Sequence, residues 1–388
     1  MRISRTGAVV AVAALLLASG CGSSSKKSST NKASGPQTYT LDADINRADL
    51  NLPVTESAFA FYPKALTVHP GDTVSVSLND SGEPHTMALG SLIDAVAVPY
   101  AALTPAQKQG DPPAPIKAAM AKVPELLPNG PGDAIQAGAQ PCYQAAGLPP
   151  LKDACSVHTG DFTGAEALVT SGWLDPNAPF TLKISPNAKA GTYHFYCQLH
   201  GPDMGGTLTI ADKATTVKTP AEVATETTAA LAADASKLAS AAAAATGATA
   251  AKAVAGGFDQ AFQQGQIDAF GPTNIAIPVG GSVTWSVFGP HSIFFNAPAD
   301  AQQIRQALPD GSVHLNIKAA SPVGGPGAPQ KAGLFNGGSW DGVGAHSSGL
   351  ILSFPPDLYK YKLTFTKPGT YNYQCSVHTN MKGTVTVG

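Results

Sequence analysis

The 388-residue chain is too long for one small domain and suits two domains with connecting material. Only 13% of its residues are charged, and its 40 glycines and 32 prolines favour β-rich domains with many turns over a helical bundle. A formal net charge of −2 argues against a nucleic-acid partner and supplies no strong steering field.

In chain order, Arg2 and Arg5 precede an apolar run from Ala8 to Leu17 that is too short to span a bilayer, the pattern of a signal peptide. The run ends in Leu17-Ala18-Ser19-Gly20-Cys21, which resembles a bacterial lipobox, with Ala18 where leucine is commoner. That resemblance makes residues 1–21 a signal peptide with lipobox, Cys21 a lipidated N-terminus and residues 22–37 a flexible tether. The alternative is ordinary secretion with Cys21 incidental. One acyl group binds membranes only marginally, so stable anchoring needs more than one chain.

The first domain is expected over residues 38–212. Leu66 and Val68 alternate with polar residues before a Gly71 turn and a second alternating run, the period of half-buried strands. An insertion of about 91–163, rich in Pro, Ala and Gly, interrupts this domain. It holds Cys142 and Cys155, for which a local disulfide is the default in an exported protein. Closing so short a loop contributes about 3 kcal/mol.

A bridge of Ala and Thr follows at 213–256. Thr219-Pro220-Ala221-Glu222 carries a capping-box pattern with Pro at the first helical position, which predicts a helix from about Pro220 to about Ala245. Such a helix would hold the domains at a defined separation; a disordered linker is the other reading. The second domain, 257–388, repeats the first. Ile275 and Ile277 stand where Leu66 and Val68 do, and Ser348-Gly349 matches Ser171-Gly172. The fold class expected is all-β, two sandwiches joined by an Ala-rich helical linker.

Near its end each repeat carries a matching string, GTYHFYCQLHGPDMGGTLTI at Gly191–Ile210 and GTYNYQCSVHTNMKGTVTVG at Gly369–Gly388. The spacings are C-x2-H-x3-M and C-x2-H-x2-M, each with a lone histidine far upstream. The candidate metal ligands are His85, Cys197, His200 and Met204 at one site and His291, Cys375, His378 and Met381 at the other. A soft thiolate, two imidazoles and a weak axial thioether form the donor set of a blue-copper site. A cysteine ending a strand, a histidine in the next loop and a methionine opening the following strand can converge on one ion.

These strings, paired with Pro84-His85 and Pro290-His291, resemble the cupredoxins, especially plastocyanin-like and amicyanin-like proteins. The resemblance covers most of both domains outside the insertion and bridge. It implies two Greek-key sandwiches holding two copper ions that cycle between Cu(I) and Cu(II). It also implies ring edges of His200 and His378 at an apolar surface, where electrons enter. Thr86 and Ser292 stand where plastocyanins commonly have Asn. Tyr196 matches a tyrosine that can face a partner, whereas Gln374 occupies that place in the second domain.

Cys155-Ser156-Val157-His158-Thr159 repeats the letters of Cys375–Thr379, but no Gly-Thr-Tyr strand precedes it and no methionine follows, so pairing with Cys142 is favoured. His194 is expected on the face opposite Tyr193 and Phe195, and His69, His314 and His346 in solvated turns or loops. The chain has no His-x-His pair of the kind that builds a trinuclear cluster, and Tyr196 and Gln374 stand where a type 2 ligand would follow from nitrite reductases. The expectation is an electron carrier, not an enzyme, exported to the outer face of the cytoplasmic membrane or cell envelope. Its partners would be envelope redox proteins and, through the lipid, the membrane. Copper storage, delivery or tolerance is the alternative.

Overall fold

Period-two alternation builds two pairs of sheets, each pair closing over its own apolar core. The computed structural model describes residues 35–46, 48–79, 83–108, 110–123, 141–144, 160–259, 262–307 and 313–388. The expected signal peptide, Cys21, nearly all of the tether and Cys155 lie outside the described residues, and with Cys155 the disulfide does too. Cys142 falls in the strand Pro141–Gln144.

In the first sandwich, one sheet runs Phe61–Tyr62, Thr38–Ala43, Thr73–Leu78, Phe180–Lys183. The other runs Ala65–Val68, Gly201–Ile210, Gly191–Cys197, Ala88–Leu89, Leu168–Ser171, Pro141–Gln144. The second sandwich repeats that second order with Asn274–Ile277, Lys382–Val387, Gly369–Gln374, Phe294–Phe295, His346–Ser348 and Pro322–Val323. The repeat therefore extends to strand order. Thr73–Leu78 and Ser282–Val287 bury every second residue, from Val74, Val76 and Leu78 to Val283, Trp285 and Val287. Ser171 and Ser348 also match: each hydroxyl accepts from a backbone amide, Met87 or Ile293, at 2.9 Å and fixes the start of a sheet strand.

The architecture is β-rich, with helices in the bridge, where one is expected, and also in the insertion, where none is. Within the insertion, the helix Ser91–Ala101 buries Ile93, Val96, Ala97 and Tyr100 against Tyr196 and Leu168. The bridge holds the helix Pro220–Thr246, whose Thr219 and Glu222 form a capping box.

That helix does not space the sandwiches apart. It lays Leu231, Leu238, Ala241, Ala242 and Ala245 onto Ile45, Ala58, Ala60, Tyr62 and Ile267, a third core shared by both halves. Each leucine so buried contributes roughly 1.5–3 kcal/mol, which opposes an extended spacer. Tyr62 Oη donates to the buried Asp234 Oδ2 at 2.7 Å, pinning the helix to the first half. The halves also share a sheet: Glu56–Ala58 pairs antiparallel with Phe262–Gly271, with Ser57 opposite Gln266. The strand Ala253–Asp259 already begins inside the bridge. Arg305 lies over the Trp173 ring at 5.6 Å, a further link between the halves. Among the described residues no helix is long and apolar enough to cross a membrane.

Candidate metal centres

Each candidate cysteine ends a central strand and each methionine opens the next, so the intervening loop curls its histidine back over the thiol. Cys197 closes the strand Gly191–Cys197 and Met204 lies in Gly201–Ile210. Cys375 follows Gly369–Gln374, and Met381 precedes Lys382–Val387. The Met381 amide donates to the His378 carbonyl and the Cys375 amide to the Met381 carbonyl, both at 3.0 Å, which tightens the second loop.

The histidines distant in sequence reach the same places. His85 Nδ1 lies 3.9 Å from Cys197 Sγ and 3.1 Å from His200 Nδ1, and His200 Nδ1 lies 3.5 Å from the sulfur. In the second centre His291 Nδ1 is 3.9 Å from Cys375 Sγ, His378 Nδ1 is 3.7 Å from it, and the two nitrogens are 2.9 Å apart. Among the described residues these two trios each gather their ligand atoms within 4.8 Å. Met204 and Met381 are buried in the same apolar clusters as Cys197 and Cys375.

The residues beside the distant histidines hold the sulfurs. The Thr86 amide donates to Cys197 Sγ at 3.3 Å and the Ser292 amide to Cys375 Sγ at 3.5 Å. Their hydroxyls accept from the amides of Gln198, at 2.9 Å, and Ser376, at 2.8 Å. Hydroxyls here thus tie the cysteine loop to the histidine strand. Burial alone would push both thiols up, but the adjacent imidazoles hold them well below the ordinary cysteine range. The thiolate is the form that binds metal.

The outer nitrogens carry acceptors that sequence patterns did not reveal. His85 Nε2 donates to the buried Asp44 Oδ2 at 2.8 Å. His200 Nε2 and His378 Nε2 both donate to Glu83, at 3.0 Å to Oε1 and 2.6 Å to Oε2. Burial opposes the Glu83 charge, yet the two histidine bonds hold its carboxyl well below the usual range. Burial likewise opposes charge on His85 and His200, while Asp44 and Cys197 raise the first to about 10 and Cys197 with Glu83 raises the second to about 9. Beside His378, burial pushes Asp268 up to about 7 despite the histidine. His291 Nε2 is buried beside the Phe288 carbonyl with no carboxylate partner among the described residues, and burial pushes its pKa down.

This pattern fits a metal. An acceptor on Nε2 keeps the proton there and turns the Nδ1 lone pair inward. At each of two distinct places two Nδ1 atoms and a thiolate, buried and aimed at one point, match type 1 copper coordination, with His291 alone lacking a carboxylate on its outer nitrogen.

Several expectations are corrected. His378 is fully buried and His200 only 15% exposed, so neither presents a ring edge at a free apolar surface; they face each other across Glu83. Phe59 stacks on the His200 ring at 4.3 Å and covers it further. Tyr196 is buried beneath the insertion helix instead of facing a partner. His346 is buried too, bonded through Nε2 to Tyr361 Oη at 2.8 Å, because Gly324 and Gly325 leave room for its ring. His194 points away from Cys197 as expected and meets Asp94 of the insertion helix at 2.9 Å. His69 is partly exposed, with Nε2 2.9 Å from the Thr215 carbonyl.

No protein-family model and no curated protein matches the chain. Among solved structures it is similar to an oxidised plastocyanin from Dryopteris crassirhizoma, 23% identical over 36% of this chain and all of the other, with a TM-score of 0.19. It is also similar to a dithionite-reduced auracyanin from Roseiflexus castenholzii, 17% identical over 46% of this chain and 99% of the other, TM-score 0.21. A blue copper oxidase from Nitrosomonas europaea is 13% identical over 91% of this chain and 86% of the other, TM-score 0.19. These scores carry no weight; the two ligand clusters do.

Proposed function

We propose that the chain is a copper electron carrier with two type 1 centres, built from tandem cupredoxin sandwiches spanning 38–212 and 257–388. The observation that carries this reading is the pair of buried His-Cys-His clusters. His85, Cys197 and His200 would hold one ion and His291, Cys375 and His378 the other, with Met204 and Met381 as weak axial donors. Copper bound there supplies one-electron chemistry. The protein's part is to fix the donors: amides of Thr86 and Ser292 on the sulfurs, and carboxylates on three of the four imidazoles, keep the geometry rigid. The buried clusters also exclude water from the metal.

The leader pattern, with Cys21 as the lipidated residue, supports export to the cell envelope, where redox proteins would be the partners. The Cys142–Cys155 disulfide belongs to the same reading. Copper delivery is less well served, because an acceptor protein would have to reach ligands as buried as His378.

Copper stoichiometry with visible and EPR spectra of the oxidised protein tests the proposal. Two equivalents and an intense thiolate–copper band are expected; lack of the band would refute it.

A further inference from the structure

Glu83 belongs to the first sandwich, two residues before His85, yet its two oxygens accept from one imidazole of each centre. The carboxylate is 3% exposed. Gln266 Nε2 adds a donor to Oε2 at 3.3 Å and also donates to Asp268 Oδ1 at 2.9 Å. The second half offers no counterpart, since Gly289 stands two residues before His291. A buried carboxylate is costly unless its oxygens are well bonded. Here the bonds come from histidines of two different centres.

We infer that Glu83 is a positioning residue for both centres and that, through it, metal at one is felt at the other. This rests on the copper reading above. An imidazole whose outer N–H donates to a carboxylate is a better metal donor, and its ring plane is fixed. When His200 is metal-bound its Nε2–H is the stronger donor, so Glu83 leans its charge toward Oε1 and offers less to His378 at Oε2. The effect runs equally in reverse, because coupling between two binding events is reciprocal. Copper(II) at either centre therefore weakens binding at the other. Bare repulsion between the ions would also do this, with one difference. Removing the Glu83 charge would strengthen bare repulsion, whereas removing the bridge lowers the coupling.

The test uses the full-length chain, its Glu83→Gln and Glu83→Asp forms, and each of these with Cys197→Ser or Cys375→Ser to read the centres singly. Apo-protein is titrated with copper(II) and followed by the thiolate–copper band. Slowly exchanging imidazole Nε2 protons are counted by NMR in the copper(I) form. Gln offers one acceptor oxygen instead of two, so one imidazole loses its partner. The expected result is a 10- to 100-fold fall in copper(II) affinity at one of the two centres of Glu83→Gln. One protected proton should vanish, and the change in one centre's affinity on loading the other, read against the Cys197→Ser and Cys375→Ser forms, should shrink. Should the Gln form not fold, Glu83→Asp decides, since its shortened carboxylate is expected to lose affinity at one centre at least. Native affinity at both centres in the Gln form, native affinity at both in the Asp form, or a larger loading-dependent change in affinity overturns the bridge. Absence of the band from the unsubstituted chain overturns the copper reading itself.

Discussion

The two centres share a ligand set but not its surroundings, and two pairs of equivalent positions account for the difference. Ala43 lies opposite Leu78 and Ala255 opposite Val287, so Asp44 and Gly256 follow at the same place in the two sandwiches. Both have left-handed backbones, with φ of 69° and 80°, which Asp tolerates and Gly adopts freely. In the first centre this position brings a carboxylate to His85 Nε2. In the second, a Cβ at Gly256 would overlap His291 Nε2 and the Phe288 carbonyl oxygen. Glu83 and Gly289 form the other pair. The first half thus carries two acidic partners for its imidazoles and lends one across the interface, while His291 keeps none. Duplication preserved the donors and let the outer contacts diverge, and outer contacts tune a metal's affinity and potential.

The strongest way to break the comparison is to remove a thiolate. Cys197→Ser and Cys375→Ser should each abolish one copper equivalent and its share of the thiolate band, leaving the other, as metal analysis and absorption would show. Next, Gly256→Ala should destroy only the second centre, because the methyl has no room and its backbone is left-handed. A destabilisation of about 3 kcal/mol is expected in denaturant unfolding. Asp44→Asn sharpens the contrast at lower cost. Asn retains an oxygen for the amides of Ile45 and Ala58 but turns an NH2 group toward His85 Nε2. First-centre affinity should fall 10- to 100-fold, about 1.4–2.7 kcal/mol, with the second unchanged in a copper titration. Arg305→Ala loses a cation–π contact across the halves and a positive charge near Glu83 and Asp175, so about 1 kcal/mol of stability should go while both bands persist.

Much of this was legible in the sequence, and the reason is locality. Cys197 and His200 lie within one strand–loop unit, as do Cys375 and His378, so their spacing alone encodes convergence. The capping box at Thr219 and Glu222 is equally local. What the halves do to each other was not legible. Glu83 meets His378 across 295 positions, and no periodic pattern announces such a contact. A clue existed in Glu83-Pro84-His85 set against Gly289-Pro290-His291, a charge in a chain poor in charge. The bridge helix also carried its signal. Val223, Leu231, Leu238 and Ala245 fall on one helical stripe, which marks a face that must be covered and not a bare spacer.

The sharpest single measurement is a redox titration of the copper-loaded, full-length chain, followed by the thiolate–copper band. A carboxylate on His85 makes it the stronger donor to Cu(II), so the first centre should have the lower potential. Two one-electron steps are expected, with Cys375→Ser retaining the lower and Cys197→Ser the higher. A single unsplit step, or the reverse order in the two variants, would contradict the claim that these are two unequal copper centres.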